Sequence, residues 1–282
     1  MDFEGTTVLV TGSATGIGRS LAVALAREGA DLALLDIDEE NGRETARQVQ
    51  ALGRRAEFHP ADASQRESLE KAVDAAWSSQ GPIALACANA GVGATSPLLE
   101  MEARDIEWVM RVNLFGALDT ARAYVSHVRA AKSGGHLLFT GSENSIAVPH
   151  ALRRVGLGLY GMTKHAVFHM ADTLRYELEA DGIGVSVLLP GPVRTEIGQS
   201  ARKRPAHLGG PRDPDALDPS MLVPGVPMPA FIEADAAARL AVEGLRAGRF
   251  MIPTHSHLVD YARARLDELD EATRASRFEP GS

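Results

Sequence analysis

The feature that most constrains the fold is a regular alternation of short apolar runs with longer amphipathic segments. Seven apolar runs have the length and composition of strands, at residues 6–11, 31–36, 55–59, 84–88, 136–140, 184–189 and 250–253. Helix signals lie between them, such as Gly29 and Gly53 at predicted helix ends. This alternation is typical of a parallel sheet with helices on both faces. We therefore predict an α/β fold.

The composition is that of a globular enzyme. Of the 282 residues, 45% are hydrophobic and 23% are charged, which argues against a disordered chain. No apolar run is long enough to cross a membrane and the first residues lack a secretory pattern, so we expect a cytoplasmic protein with no membrane partner. The net charge of -8 disfavours nucleic acid as a partner. Cys87 is the only cysteine, and its apolar neighbours predict a buried structural thiol.

One segment, around residues 195–232, breaks the alternation. It is rich in proline and glycine and shows no sustained helical or strand period. A linker, a disordered portion and a functional lid are all compatible with that composition. A helix at 233–247, a strand at 250–253 and a last helix at about 258–272 are predicted after it. We therefore expect a single domain, 1–282, in which this segment is a mobile lid over the substrate pocket.

A glycine-rich turn, TGSATGIG at residues 11–18, joins the first strand to an apolar helix. Such glycines allow a tight turn and a close approach of backbone to phosphate, and the N-terminus of the helix binds anions. The second strand ends in Asp36, where a carboxylate can bind both adenosine ribose hydroxyls and repels a 2′-phosphate. Because neither the turn nor Ile37 supplies a cation for that phosphate, we predict NAD and not NADP. The alternative for Asp36 is a helix N-cap.

Tyr160 and Lys164 lie one helical turn apart in the segment LYGMTKH. Their spacing puts the phenol and the ammonium on one helix face, where the cation can lower the tyrosine pKa from its usual value of about 10. Such a tyrosine can act as a general base. An isolated pair of this kind is more often an unrelated aromatic and cation on a half-exposed helix, so the prediction depends on the other motifs.

The glycine turn and the Tyr-x-x-x-Lys pair together resemble the short-chain dehydrogenase/reductase family. Further matches follow in order along most of the chain: Asp62, Asn89-Ala90-Gly91, Asn113, Ser142 and the segment PGPVRT at residues 190–195. The resemblance implies a one-domain Rossmann-like fold with a doubly wound, seven-stranded parallel sheet. It also implies assembly as a homodimer or homotetramer.

The resemblance assigns a nucleotide site to positions near the strand ends. Asp62 would contact the adenine amine, residues 89–91 would lie under the adenosine ribose, and the Thr195 hydroxyl would bind the nicotinamide carboxamide. Asp62 could instead simply precede a helix cap at Ser64, and residues 89–91 could be an ordinary turn. The predicted cofactor-binding residues are Gly12, Thr15, Gly16, Ile17, Gly18, Asp36, Asp62, Ala63, Asn89, Ala90, Gly91, Tyr160, Lys164, Pro190, Gly191, Val193 and Thr195.

The predicted catalytic residues are Asn113, Ser142, Tyr160 and Lys164. Ser142 would hold the substrate oxygen, with Ser145 as the alternative, because the family's usual serine-to-tyrosine spacing is shorter than either. Asn113, in the long helix after the fourth strand, would hold a water that links Lys164 to solvent. The alternative for Asn113 is a buried amide that bonds its own backbone.

These residues predict an NAD-dependent oxidoreductase that interconverts a secondary alcohol and a ketone, with a small molecule as substrate. One alternative is an NADPH-dependent biosynthetic ketoreductase, and another is a nucleotide-sensing protein without catalysis. The histidines show no convincing ligand spacing, so we predict no catalytic metal.

Overall fold

Seven parallel strands form the central sheet of the protein, for which a computed structural model describes residues 1–213 and 221–275. Along the sheet the order is β3-β2-β1-β4-β5-β6-β9. Each of the seven strands begins and ends within one residue of its prediction. The strands are β1 (Thr7–Thr11), β2 (Asp31–Asp36), β3 (Ala56–Pro60), β4 (Ile83–Ala88), β5 (Gly135–Thr140), β6 (Ile183–Leu189) and β9 (Met251–Pro253), and a separate small pair is formed by β7 (Val193–Arg194) and β8 (Ile232–Glu233).

Helices cover both faces of the sheet. They are α1 (Gly16–Arg27), α2 (Glu39–Ala51), α3 (Arg66–Gln80), α4 (Ala103–Met110), α5 (Gly116–Ala131), α6 (Gly158–Glu177), α7 (Ala234–Arg246) and α8 (Leu258–Ala275). Helices α3, α5 and α6 pack on one face, and α1, α2 and α7 pack on the other. This is the predicted doubly wound, Rossmann-like sheet. Within the described residues, no helix is both long and apolar enough to span a membrane.

The inner strands are mainly apolar because both faces of the sheet are covered by helices. In β2, Leu32 and Leu34 face one helical layer while Ala33 and Leu35 face the other. Full burial of one leucine contributes about 1.5 to 3 kcal/mol. Cys87 in β4 is also fully buried, and burial raises the pKa of its thiol. The expectation of a buried structural thiol is confirmed.

Two local predictions are wrong. The long helix expected after β4 is interrupted by a π-helical turn, Arg111–Phe115, between α4 and α5. The expected cap at Ser64 is absent because α3 begins at Arg66, and the Ser64 backbone N–H and hydroxyl both donate to the Asp62 carboxylate. A π turn places one extra residue in the helix, and such turns are frequent at functional sites.

The proline-rich segment contains short 3₁₀ turns, Ile197–Lys203 and Ala206–Leu208. Residues 214–220 of the predicted lid lie outside the described residues. The first part of the segment is attached to α4 by a buried ion pair between Arg204 and Asp105, and the Arg204 guanidinium lies 5.2 Å from the centre of the Trp108 ring. This contact holds residues 197–208 against the body of the domain.

Candidate active site

A cavity of about 950 Å³ runs along the carboxyl ends of the strands, where open α/β sheets bind their ligands. All seventeen predicted cofactor-binding residues line it, from Gly12 in the first turn to Thr195 at the start of the proline-rich segment. Ser142 also lines this cavity. Asn113 and Ser145 are not among the lining residues.

The glycine-rich turn has the shape of a phosphate cradle. Gly12 and Gly16 adopt φ values of +66° and +55°, which strain any residue with a β-carbon. A β-carbon at Gly18 would lie 1.9 Å from the Gly12 carbonyl oxygen. Thr15, the N-cap of α1, makes no side-chain capping bond, so the first N–H groups of the helix face the cavity without that partner. The turn therefore fits a bound dinucleotide phosphate.

Asp36 lines the cavity at the end of β2. Its two carboxylate oxygens accept the backbone N–H groups of Ala14 and Asp38, each at 2.9 Å. Burial raises the pKa of Asp36, and the two backbone hydrogen bonds oppose that shift. The N-cap of α2 is Asp38, so the alternative role of Asp36 as a helix cap is wrong.

Asn89 ties three strand ends together below the glycine turn. Its amide nitrogen donates to the carbonyls of Thr11 at 3.1 Å and Gly12 at 3.2 Å, and its amide oxygen accepts the Thr140 hydroxyl at 3.0 Å. The side chain thus fixes the floor of the nucleotide site. Asp62, which follows the edge strand β3, accepts hydrogen bonds from Ser64 at 2.6 Å and Gln65 at 3.0 Å and also lines the cavity.

Tyr160 and Ser142 both line the cavity. Burial raises the pKa of Tyr160 to about 12, a hydrogen bond from Ser142 lowers it, and the charge of Glu143 raises it. The Ser142 oxygen also accepts the Asn144 backbone N–H at 3.2 Å, which fixes the hydroxyl beside the phenol. Ser145 instead donates to the Lys164 carbonyl at 2.7 Å and accepts the Ser142 backbone N–H at 3.1 Å. The geometry therefore favours Ser142 over Ser145.

Lys164 is buried behind Tyr160. Its Nζ donates to the Thr140 carbonyl at 2.8 Å and lies 5.6 Å from the centre of the Tyr160 ring. Burial lowers the pKa of Lys164 to about 8. The expectation that Lys164 lowers the pKa of Tyr160 is not met in this structure, because burial of the phenol dominates and the ammonium points at a backbone carbonyl.

Asn113 lies in the π turn, next to this group. Its amide oxygen accepts the Val92 backbone N–H at 2.8 Å, and its amide nitrogen donates to the Val92 carbonyl at 3.0 Å and to Thr163 at 3.2 Å. The side chain hydrogen-bonds the loop after β4 and not the backbone of its own helix. The alternative of an amide that bonds its own backbone is therefore wrong. A β-carbon at Gly91 would lie 3.5 Å from Lys164 Nζ and 3.6 Å from the Asn113 oxygen, which places both side chains behind that glycine.

The family model for short chain dehydrogenase matches residues 6–206, which include both the nucleotide turn and the tyrosine pair. The chain belongs to the short-chain dehydrogenase family. This confirms the resemblance drawn from the motifs, which is to a family that uses nicotinamide cofactors.

Relatives of known name span the whole chain. A 1-deoxy-11-beta-hydroxypentalenate dehydrogenase from Streptomyces exfoliatus is 30% identical and covers 100% of this chain and 94% of its own. A Burkholderia phymatum short-chain dehydrogenase in complex with NAD is 28% identical, with a TM-score of 0.85 over 100% of this chain and 99% of that one. A Sphingobium yanoikuyae member in complex with NADPH is 26% identical, with a TM-score of 0.72 over 98% of each. Some curated relatives are much longer, and the chain spans 32% of their length at 34% identity.

Lys203 and His207 of the proline-rich segment contact residues beside Asp36 and Asp62 at one end of this cavity, and no sequence pattern pointed to either. Lys203 forms an ion pair with Asp38, and its charge lowers the pKa of Asp38 and of Asp36. His207 Nε2 lies 3.2 Å from the Ser64 hydroxyl. Lys203 is 165 residues from Asp38 in sequence, so no local pattern connects them.

A buried carboxylate next to Ser142 was also missed. Glu143 is 4% exposed and pairs with His257, which lies 114 residues away in sequence. In the sequence, only its position directly after the predicted catalytic serine could have pointed to Glu143. Within the described residues, no cluster of three or more histidine, cysteine or acidic side chains could hold a metal ion.

Proposed function

We propose that the protein interconverts a secondary alcohol and a ketone, with NAD as cofactor and Tyr160 as the acid/base. The observation that carries this proposal is that Tyr160 and Ser142 line one cavity together with the glycine-rich turn and Asp36. When bound, the nicotinamide accepts or supplies the hydride. The residues of the chain bind and orient the reactants and move the proton.

Ser142 and Tyr160 act together on the substrate oxygen. The serine hydroxyl donates a hydrogen bond that stabilises negative charge on that oxygen. Tyr160 donates a proton to it during ketone reduction and removes one during alcohol oxidation. Because the phenol pKa is about 12, the protonated form dominates at neutral pH, and this favours proton donation. Oxidation requires the phenolate, so we expect its rate to rise with pH.

Lys164 and Asn113 support the proton path. Lys164 loses its proton near pH 8, closer to neutrality than an exposed lysine, so it can exchange protons during turnover. Asn113 holds the loop at Val92 beside it. We propose that a water near these two side chains carries the proton between Lys164 and solvent.

The preference for NAD rests on Asp36. Its carboxylate, held by two backbone N–H groups, would accept the hydroxyls of the adenosine ribose and repel a 2′-phosphate. Lys203 lines the same cavity, but its charge is paired with Asp38. An NADPH-dependent ketoreductase is the second candidate, because that lysine becomes available to a phosphate if the pair opens.

Asp36→Asn is expected to lower the ratio of the NADPH to the NADH dissociation constant by about tenfold or more. The change keeps the shape of the side chain and removes its charge. Dissociation constants of NADH and NADPH, measured by quenching of tryptophan fluorescence, give the ratio directly. Adding Asp38→Asn frees Lys203 and is expected to improve NADPH binding further. An unchanged ratio in both variants contradicts the role assigned to Asp36.

Part of the remaining cavity wall is apolar, and this part fits a medium-sized or aromatic alcohol. Apolar side chains from the loop before α6 and from the proline-rich segment line it, namely Leu152, Val155, Leu157, Ile197, Met228 and Phe231. Such walls select by shape and hydrophobicity, with Ser142 and Tyr160 as the polar groups that orient the reacting oxygen.

We also expect a homodimer or homotetramer. Strand β9 is an edge of the sheet, and Met251 on it is 48% exposed. On α8, Val259, Leu266 and Leu269 are exposed as well. Edge strands and apolar helix faces are commonly covered by a second subunit.

The function is tested with a panel of secondary alcohols and ketones, followed by the absorbance of reduced nicotinamide. Turnover of apolar secondary alcohols with NAD, and of the matching ketones with NADH, is the expected result. Tight binding of NADH without turnover of any member of a broad panel supports the nucleotide-sensing alternative instead. Faster turnover with NADPH than with NADH supports the ketoreductase alternative.

A further inference from the structure

Glu143 places a buried carboxylate directly after the serine that touches Tyr160. It begins the 3₁₀ turn Glu143–Ser145 at the end of β5, and its backbone N–H donates to the Pro190 carbonyl at 2.7 Å. The residue is 4% exposed and lines the active-site cavity. A carboxylate is rarely buried unless a partner compensates its charge.

The partner of Glu143 is His257, in the loop between β9 and α8. Glu143 Oε2 and His257 Nε2 are 2.6 Å apart. The His257 side chain is 22% exposed and lines a second cavity of about 500 Å³, whereas Glu143 lines the large one. The pair therefore connects the active site to a histidine that can exchange protons with solvent.

We propose that Glu143 and His257 are positioning residues that control the negative charge facing Tyr160, and through it the proton exchange of the phenol. The inference rests on the proposed acid/base role of Tyr160. When His257 carries a proton, the pair is neutral. When His257 loses it, the carboxylate faces the phenol without compensation and opposes formation of the phenolate.

The electrostatics of the site agree with this arrangement. The charge of Glu143 raises the pKa of Tyr160 and that of Tyr261. Burial raises the pKa of Glu143 itself, while the hydrogen bond and charge of His257 and the charge of His255 lower it. The pair thus favours the phenol form, which donates a proton in ketone reduction.

Other titratable groups surround the pair. Helix α6 contributes Tyr160 with Lys164 behind it, and the loop before α8 contributes His255, whose ring lies 5.2 Å from that of His257. The Tyr261 ring on α8 lies edge-on to His257 at 5.2 Å and tilted against His150 at 5.0 Å, and burial, Glu143 and Asp260 raise the Tyr261 pKa. Among these groups, Glu143 is the carboxylate whose charge acts on Tyr160.

The test measures the Tyr160 phenolate without any substrate. Protein is jumped in a stopped-flow instrument to a pH between about 10, the usual tyrosine pKa, and the value of about 12 for Tyr160. Phenolate absorbance is read before unfolding, and the signal of the same protein with Tyr160→Phe is subtracted. Glu143→Gln is expected to increase the Tyr160 phenolate fraction at least about threefold, equivalent to half a pKa unit.

Variants of His257 distinguish two roles for the pair: control of charge near Tyr160, and a purely structural link between Glu143 and the loop before α8. His257→Gln puts a neutral hydrogen-bonding side chain beside Glu143 and is expected to leave the phenolate fraction unchanged at this pH, whereas His257→Arg adds a cation that stays charged at this pH and is expected to increase the fraction. Asp181→Asn, which removes the carboxylate of the exposed Arg129–Asp181 pair, is the matched control and should behave as wild type.

Equal effects of Glu143→Gln and His257→Gln overturn the proposal, since both changes break the same contact. So does an unchanged phenolate fraction in Glu143→Gln. If Glu143→Gln does not fold, His257→Arg decides alone, and no increase in that variant rejects charge control. Because no turnover is required, these outcomes stay distinct from a failure of the proposed alcohol and ketone chemistry.

Discussion

Replacing Tyr160 with phenylalanine is expected to lower kcat in both directions by about 10²- to 10⁴-fold, the usual contribution of a positioned general acid or base. The change removes only the hydroxyl that bonds Ser142 and keeps the ring near Lys164. NADH binding should therefore stay close to wild type. Reduced-nicotinamide absorbance measures turnover, and fluorescence titration measures binding.

Tyr176→Phe provides the control for this change. Tyr176 lies on the same helix, is 66% exposed, and accepts a hydrogen bond from Arg175 at the protein surface. Its loss should leave kcat and nucleotide affinity unchanged. If Tyr160→Phe keeps more than about a tenth of wild-type kcat with intact binding, another group performs the proton transfer.

The strand limits were predictable because the inner strands of this sheet are mostly buried on both faces. A buried parallel strand is an uninterrupted apolar run, and polar or glycine residues bound it on either side. In β2 the run of residues 31–36 begins and ends with aspartate, and the structure has the same limits. Helix boundaries were less predictable. Serine is a common helix cap, but the Ser64 hydroxyl donates a hydrogen bond to Asp62 instead.

The nucleotide turn and the tyrosine pair were found because each is local in sequence. The glycines lie within eight residues and the tyrosine and lysine within one turn, so spacing alone places them together. All seventeen residues assigned to the cofactor line one cavity. Their individual roles remain predictions.

The electrostatics of the site were not predictable, because they depend on contacts between distant residues and on burial. Asp38 pairs with Lys203, which is 165 residues away in sequence, and Glu143 pairs with His257, which is 114 residues away. The pKa of Tyr160 shows the same limit. Spacing placed a lysine nearby and suggested a lowered value, but burial, which only the folded structure defines, raises it.

Gly18→Ala is expected to weaken NADH binding by about 10- to 100-fold, or about 1.4 to 2.7 kcal/mol. The added β-carbon would lie 1.9 Å from the Gly12 carbonyl oxygen and 2.6 Å from the Asn89 amide nitrogen. Since both atoms belong to the floor of the phosphate cradle, the turn must move. Overpacking of this kind also destabilises a fold by about 1 to 3 kcal/mol. Fluorescence titration and thermal unfolding measure the two effects.

Gly198→Ala is the matched control, because Gly198 lines the same cavity and a β-carbon there meets no protein atom within 4 Å. It should keep wild-type stability. In Gly18→Ala, the bond from Asn89 to Gly12 must lengthen or break, so the loss of affinity should persist at temperatures where the variant is fully folded. If folded Gly18→Ala binds NADH with wild-type affinity, the assignment of the turn as the phosphate site is contradicted. A phosphate bound by the backbone of this turn would lose contacts when the turn moves.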